Sequence, residues 1–169
     1  MSKNLIIYFS RRGNNYTNAG IQNIKVGNTE KIVNYIQDFI DADVFEIKPK
    51  QEYPEDYMEC TEVAKKEQEE NARPKLQNYL ESIEEYDTIY IGFPNWWGTL
   101  PMPFWTQLEK LDFNGKTIKP FVTHEGSQMG NSLNDLKKLC KGAKIESGLA
   151  IQGSTVDNAK HKVEKWVTS

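Results

Sequence analysis

The chain has 169 residues, 38% hydrophobic and 11% aromatic, enough for one domain with a sizeable core and too apolar for a disordered chain. Its formal charge of −3 and pI near 5.5 argue against nucleic acid as a natural partner. No apolar run could span a bilayer, and the opening MSKNLIIYFS holds one apolar cluster that enters a strand rather than a signal peptide, so a cytoplasmic protein without membrane insertion is expected.

Strand-like apolar runs lie at 5–9, 43–47, 89–93, 117–123 and 144–151, with helical patterns between them. Ile32, Val33, Ile36 and Ile40 share one face of a first helix, and residues 57–71 are charged and helix-prone. Phe104, Leu108 and Leu111 mark a third helix, Leu133, Leu136 and Leu139 a fourth, and Ala159, Val163, Trp166 and Val167 a last. Strands alternating with helices predict an α/β fold, a doubly wound parallel sheet of five strands with helices on both faces. Residues 1–169 read as a single domain without repeat or linker. One segment breaks the regularity: residues 11–27 are too long for a βα loop, rich in Gly and Asn, and predict an inserted loop or small hairpin.

Between Lys50 and Asp87 there are twelve acidic and five basic residues, so the negative charge is concentrated there. Such a stretch is either a solvated helix face or a docking surface for a basic partner. Cys60 and Cys140 show neither metal nor disulfide spacing, and both fall in helical stretches.

The chemistry is concentrated where strands end. The first strand ends in Tyr8-Phe9-Ser10, and Gly27-Asn28-Thr29 opens the first helix, whose N-terminal N–H groups and positive dipole end suit a phosphate. Ser10 and Thr29 offer hydroxyls there without adding charge, and Arg11 and Arg12 could add charge-assisted bonds. After the third strand, Pro94-Asn95-Trp96-Trp97-Gly98 places two large rings on a polar turn, good material for stacking on a flat ligand and poor core material. The alternative is that both rings fold back over the core. The fourth strand leads into Thr123-His124-Glu125-Gly126-Ser127, whose glycine lets backbone approach the edge of a planar heterocycle. With strand order 2-1-3-4-5 the first and third of these strand ends flank a topological switch point, where open α/β sheets bind ligands. One flat, phosphate-bearing cofactor accounts for all three loops.

Taken in order, LIIYFSRRGN, VGNTEKI, DVFEIKPKQEYPEDY, IGFPNWWGTLPMP and FVTHEGSQMGNS resemble the flavodoxin family over essentially the whole chain. The combination of Tyr-Phe-Ser, Gly-Asn-Thr and Pro-Asn-Trp-Trp-Gly at this spacing is fairly specific. The resemblance implies the flavodoxin-like fold with FMN as cofactor. Carried over by position, Ser10, Asn28 and Thr29 would hold phosphate, while Pro94, Asn95, Trp96, Trp97 and Gly98 would wall the ring. Thr123, His124, Gly126 and Ser127 would line its other side. Because residues 11–27 interrupt the usual compact phosphate loop, Arg12, Gly13 and Asn14 are candidate contacts, with Tyr16 as the insertion's likeliest one. Glu125 stands where relatives often carry a small residue; pointed inward, its charge would lower the flavin's reduction potential.

The resemblance leaves three functions to separate. One is a flavodoxin-type electron carrier working with redox partner proteins, in which FMN does the chemistry and no amino acid acts as acid or base. Another is an FMN-dependent NAD(P)H oxidoreductase acting on a quinone or similar small substrate. The third, a binding module that has lost its flavin, sits poorly with Ser10, Thr29 and both tryptophans.

Overall fold

The computed structural model describes residues 3–17 and 19–168, and only the backbone of Tyr16. Strand β1 (Asn4–Tyr8) lies inside a parallel sheet, between the edge strand β4 (Asp43–Glu46) and the middle strand β5 (Thr88–Pro94). Next to β5 runs β6 (Thr117–His124), and beyond it β7 (Lys144–Ile145) and β8 (Leu149–Gln152). Counted as the five expected strands, the order is 2-1-3-4-5.

Side chains alternate across β1. Leu5 and Ile7 join Ile89, Ile91, Phe93 and Val122 in a core on one face, packed by α3 (Met102–Leu108) and α4 (Ser132–Leu139) through Phe104, Leu108 and Leu136. Ile6 and Tyr8 face the other core, with Ile32, Val33 and Ile36 of α1 (Asn28–Phe39) and Val163 and Val167 of α5 (Lys160–Thr168). Helix α2 (Tyr57–Glu69) is different: it buries only Cys60 and Ala64. Among the described residues no helix is long and apolar enough to cross a membrane.

The last strand position departs from expectation. Residues 144–151 do not form one strand; β7 pairs with the start of β6 and β8 with its end. Pro120 lies between the two pairings and has no N–H to give a ladder, and a Cβ at Gly148 would collide with the Pro120 carbonyl. The chain therefore leaves the sheet at Glu146 and returns at Leu149. The segment 11–27 contains an antiparallel hairpin, β2 (Gly13–Thr17) with β3 (Gly20–Ile24). Arg11 laces it to the chain ahead of α2. Its guanidinium donates to the carbonyls of Asn14 (2.8 Å), Pro54 (3.0 Å) and Glu55 (2.8 Å).

Candidate functional site

A cavity of about 480 Å³ opens outside the carboxyl ends of β1, β5 and β6. The first turn contributes Arg11, Asn15 and Asn28; the loop after β5 contributes Pro94, Asn95, Trp96 and Trp97; the end of β6 contributes Thr123, His124, Glu125 and Ser127. Helix α2 closes it with Tyr57, Met58, Cys60, Thr61 and Ala64.

At the first turn the end of β1 and the start of α1 touch. A Cβ at Gly27 would overlap the Ser10 hydroxyl and sit 2.7 Å from the Arg11 carbonyl, so only glycine fits. The Ser10 hydroxyl accepts from the N–H of Glu30 at 3.1 Å, leaving the N–H groups of Asn28 and Thr29 without acceptors inside the helix. Thr29 is fully buried, and its hydroxyl meets that of Thr123 at 3.0 Å. Arg12 is mostly exposed and paired with Glu30 at 3.0 Å.

The tryptophan loop is a tight turn. Trp97 and Gly98 have φ of +53° and +87°, the pattern of a type I′ turn, with Trp96 and Thr99 exchanging backbone bonds across it. Glycine adopts this at no cost, but tryptophan is strained by about 1 kcal/mol. Contacts hold Trp97 there. Its Nε1–H donates to the Thr61 carbonyl at 2.9 Å, its own carbonyl accepts from Gln68 Nε2 at 3.2 Å, and Lys65 lies over its ring. Trp96 is set inward, edge-on to Phe9 (5.1 Å) and Tyr53 (4.9 Å). Burial and a bond to Glu67 push the Tyr53 phenol far up, so it stays protonated and donates. The Thr99 hydroxyl donates to the buried Asp135 carboxylate, anchoring the loop to α4.

On the β6 side, His124 is buried and its Nδ1 accepts from the N–H of Gly126 at 2.9 Å, which leaves the proton of the neutral ring on Nε2. Burial presses the imidazole below its ordinary range; Glu125 opposes this and Lys162 adds to it. Glu125 leans inward, its Oε2 accepting from Ser154 Oγ at 2.9 Å and Gln152 Nε2 at 3.4 Å. Cys60 stands in the wall with its thiol pushed up, first by burial, and Cys140 lies outside the cavity with its thiol near 12. Among the described residues no cluster of acids, histidines and cysteines could hold a metal.

Of the expected site residues, Asn28, Pro94, Asn95, Trp96, Trp97, Thr123, His124 and Ser127 line one cavity. Ser10 and Thr29 stand behind Asn28, and Gly98 and Gly126 shape their loops. Arg12, Gly13 and Asn14 are not in the lining, and the side chain of Tyr16 lies outside the described residues. Sequence reasoning missed the wall given by α2, including Cys60, which it set apart from the site. A helix of charged residues reads as a solvated face, and the apolar pair Tyr57-Met58 at its start was the signal the sequence offered.

The donor set fits a flavin mononucleotide: a glycine-cradled helix start, an aromatic wall and polar backbone opposite it, in a volume ordinary for such ligands. The family model described as Flavodoxin matches residues 3–169. No curated protein matches the chain. Among solved structures, a protein of Bacteroides uniformis, provisionally described as a flavoprotein, is 28% identical over 99% of both chains with a TM-score of 0.74. A similarly described protein of Bacteroides eggerthii is 26% identical over 96% of this chain and 98% of its own, with a TM-score of 0.71. A flavoprotein of Lactobacillus acidophilus in complex with FMN shares the fold at 22% identity, covering 94% of this chain and 98% of its own, with a TM-score of 0.65.

Proposed function

The chain belongs to the flavodoxin family, and on that premise we propose that it binds FMN and transfers electrons between redox partners, the whole chain acting as one domain with the hairpin as its insertion. Bound FMN would supply the electron chemistry. The N–H groups of Asn28 and Thr29, with the Ser10 hydroxyl beside them, would take the phosphate. Arg12 would act there by neutralising Glu30, which would otherwise oppose an anion at the helix start. Gly13, Asn14 and Tyr16 would close the phosphate end from the hairpin. Trp96 and Trp97 would wall the ring with Pro94, Asn95 and Gly98, and Thr123, His124, Gly126 and Ser127 would meet its polar edge.

The observation that carries this reading is the junction of the Gly27 cradle and the two indoles around one cavity at the carboxyl ends of the central strands. The lining contains hydroxyls, amides and aromatics, with Arg11 engaged on backbone carbonyls, Glu125 bonded to Ser154 and Gln152, the Cys60 thiol pushed up and the His124 imidazole pushed down by burial. None of these is paired as nucleophile and base, which favours a carrier over a chemistry of the protein's own. One observation favours the reductase as second reading: a further cavity of about 380 Å³ adjoins Trp97 and gives a small molecule a place beside the ring wall.

Reconstitution with FMN and with FAD, followed by absorbance, tests the cofactor; FAD binding as tight as FMN would refute the single phosphate seat. Anaerobic mixing of the FMN protein with NADH or NADPH then separates the two functions. Slow, unsaturable bleaching is expected of a carrier, and rapid saturable bleaching would make the protein a reductase.

A further inference from the structure

The cavity of about 380 Å³ beside Trp97 lies off the cofactor site, between the end of α2, the first turns of α3 and the start of α4. Its charge is of one sign. Asp135 lines it, is 7% exposed, and among the described residues takes part in no ion pair. Its carboxylate accepts from the Thr99 hydroxyl and from Asn131 Nδ2 at 3.4 Å, both neutral donors. A buried carboxylate is costly unless a cation compensates it, and the lining holds no lysine, arginine or histidine. Helix α2 ends here, with Gln68 in its last turn and Asn71 just beyond, so the negative end of a helix dipole adds to the same sign.

Two indoles, those of Trp97 and Trp105, also line the cavity. Each already carries a cation outside it: Lys65 Nζ lies 5.4 Å from the centre of the Trp97 ring, and the Arg73 guanidinium 5.4 Å from that of Trp105. Neither cation enters the lining, and Arg73 is engaged by Glu109 and Asn71. Indole is the strongest cation–π partner among side chains, so both walls suit positive charge. Met102 adds apolar surface.

We propose that this cavity binds a small organic cation, an amine or guanidine on a short carbon chain, with Asp135 as its counter-charge and Trp97 and Trp105 as its walls. A carboxylate accepts about four hydrogen bonds and this one has two, so N–H groups of the ligand find acceptors. An anion would be repelled by Asp135, and an uncharged ligand would leave it uncompensated. The volume is that of a small-molecule site rather than of one inserted side chain. The site shares Trp97 with the cofactor cavity but does not depend on what fills that cavity.

The test is isothermal titration of the full chain with butylguanidinium and with butylurea, which has a similar outline without the charge. Butylguanidinium should bind, and butylurea should bind weaker by about tenfold or more. Asp135→Asn keeps an acceptor for Thr99 and removes the charge, so it should bring butylguanidinium down to the level of butylurea. Gln68→Lys, at a partly exposed helix position, places a tethered ammonium in the cavity and should displace the free cation. It keeps the proposal testable if the Asp135 variant does not fold. Butylguanidinium binding no tighter than butylurea, or binding unmoved in both variants, would show Asp135 to be only the anchor of the tryptophan loop and overturn the proposal. A chain that takes up no flavin yet binds butylguanidinium would sink the proposed function and leave this site standing.

Discussion

The hydroxyls of Thr29 and Thr123 meet at 3.0 Å in the interior, tying the first turn of α1 to the end of β6. Strand and helix that each hold one half of the candidate site are thereby fixed to one another by a neutral bond. Valine at either position should strand the other hydroxyl and cost about 1–3 kcal/mol in denaturant unfolding. The double valine variant should cost less than the two singles added together, because no orphan remains. Additive losses would mean that the pair does not act as a pair.

The two tryptophans should separate in their effects. Trp96 is braced by Phe9 and Tyr53, whereas Trp97 is half exposed and held in a left-handed turn. Alanine at Trp96 should lower both stability, by about 2 kcal/mol, and flavin affinity. Alanine at Trp97 should lower flavin affinity by roughly 1–3 kcal/mol while costing less stability than at Trp96, since half of its ring is already exposed and alanine keeps the Cβ that makes the left-handed position costly. Paired unfolding and fluorescence-quenching titrations read both quantities. Equal ratios of stability loss to affinity loss would refute the division.

Gly27 should tolerate no side chain. Alanine there meets the Ser10 hydroxyl and the Arg11 carbonyl and should cost about 1–3 kcal/mol of stability. Displacing β1 from α1 also opens the phosphate seat, so FMN should weaken more than riboflavin. Isothermal titration with the two flavins checks this; equal weakening would place the phosphate elsewhere.

Much of this could be read from residues alone, and the exceptions have physical causes. The strand runs at 5–9 and 89–93 are buried on both faces, so their apolar character survives without tertiary information. The three loops declared themselves through residue types that sit badly in cores or regular elements. The inward turn of Glu125 depends on Ser154 and Gln152, 29 and 27 residues further on, and no local pattern encodes that. The split of the last strand is set by Pro120 in its neighbour, a cross-strand effect. Helix α2 was legible as a helix, but its part in the cavity wall was hidden because burying Cys60 and Ala64 alone leaves its sequence polar.

Stability should depend on His124 in a definite direction. Burial lowers its folded-state pKa, so in mildly acid solution the unfolded chain takes up a proton that the folded one refuses. The contribution is therefore fully present above the ordinary imidazole pKa and is lost as pH falls through the folded value. Between about pH 5 and 7 the wild type should lose stability faster than His124→Asn as the solution is acidified. Parallel slopes of the two unfolding curves against pH would rule this out.

The last prediction concerns the mouth of the cavity. Arg11 spends its guanidinium on the carbonyls of Asn14, Pro54 and Glu55, so one side chain joins the hairpin to the segment leading into α2. The planar fork suits three carbonyls better than a point charge would. Helix α2 buries only Cys60 and Ala64, and its other ties run to Trp97, from Thr61, Lys65 and Gln68, and to Tyr53, from Glu67. Arg11→Ala should therefore loosen the hairpin and α2 together while the sheet stays intact. Limited proteolysis should cut near 54–57 sooner than in the wild type, and stopped-flow dilution should show FMN leaving faster. Arg11→Lys should recover little of either. A variant that keeps both the wild-type cleavage pattern and the wild-type release rate would show that the cavity is closed by α2 without the hairpin's help.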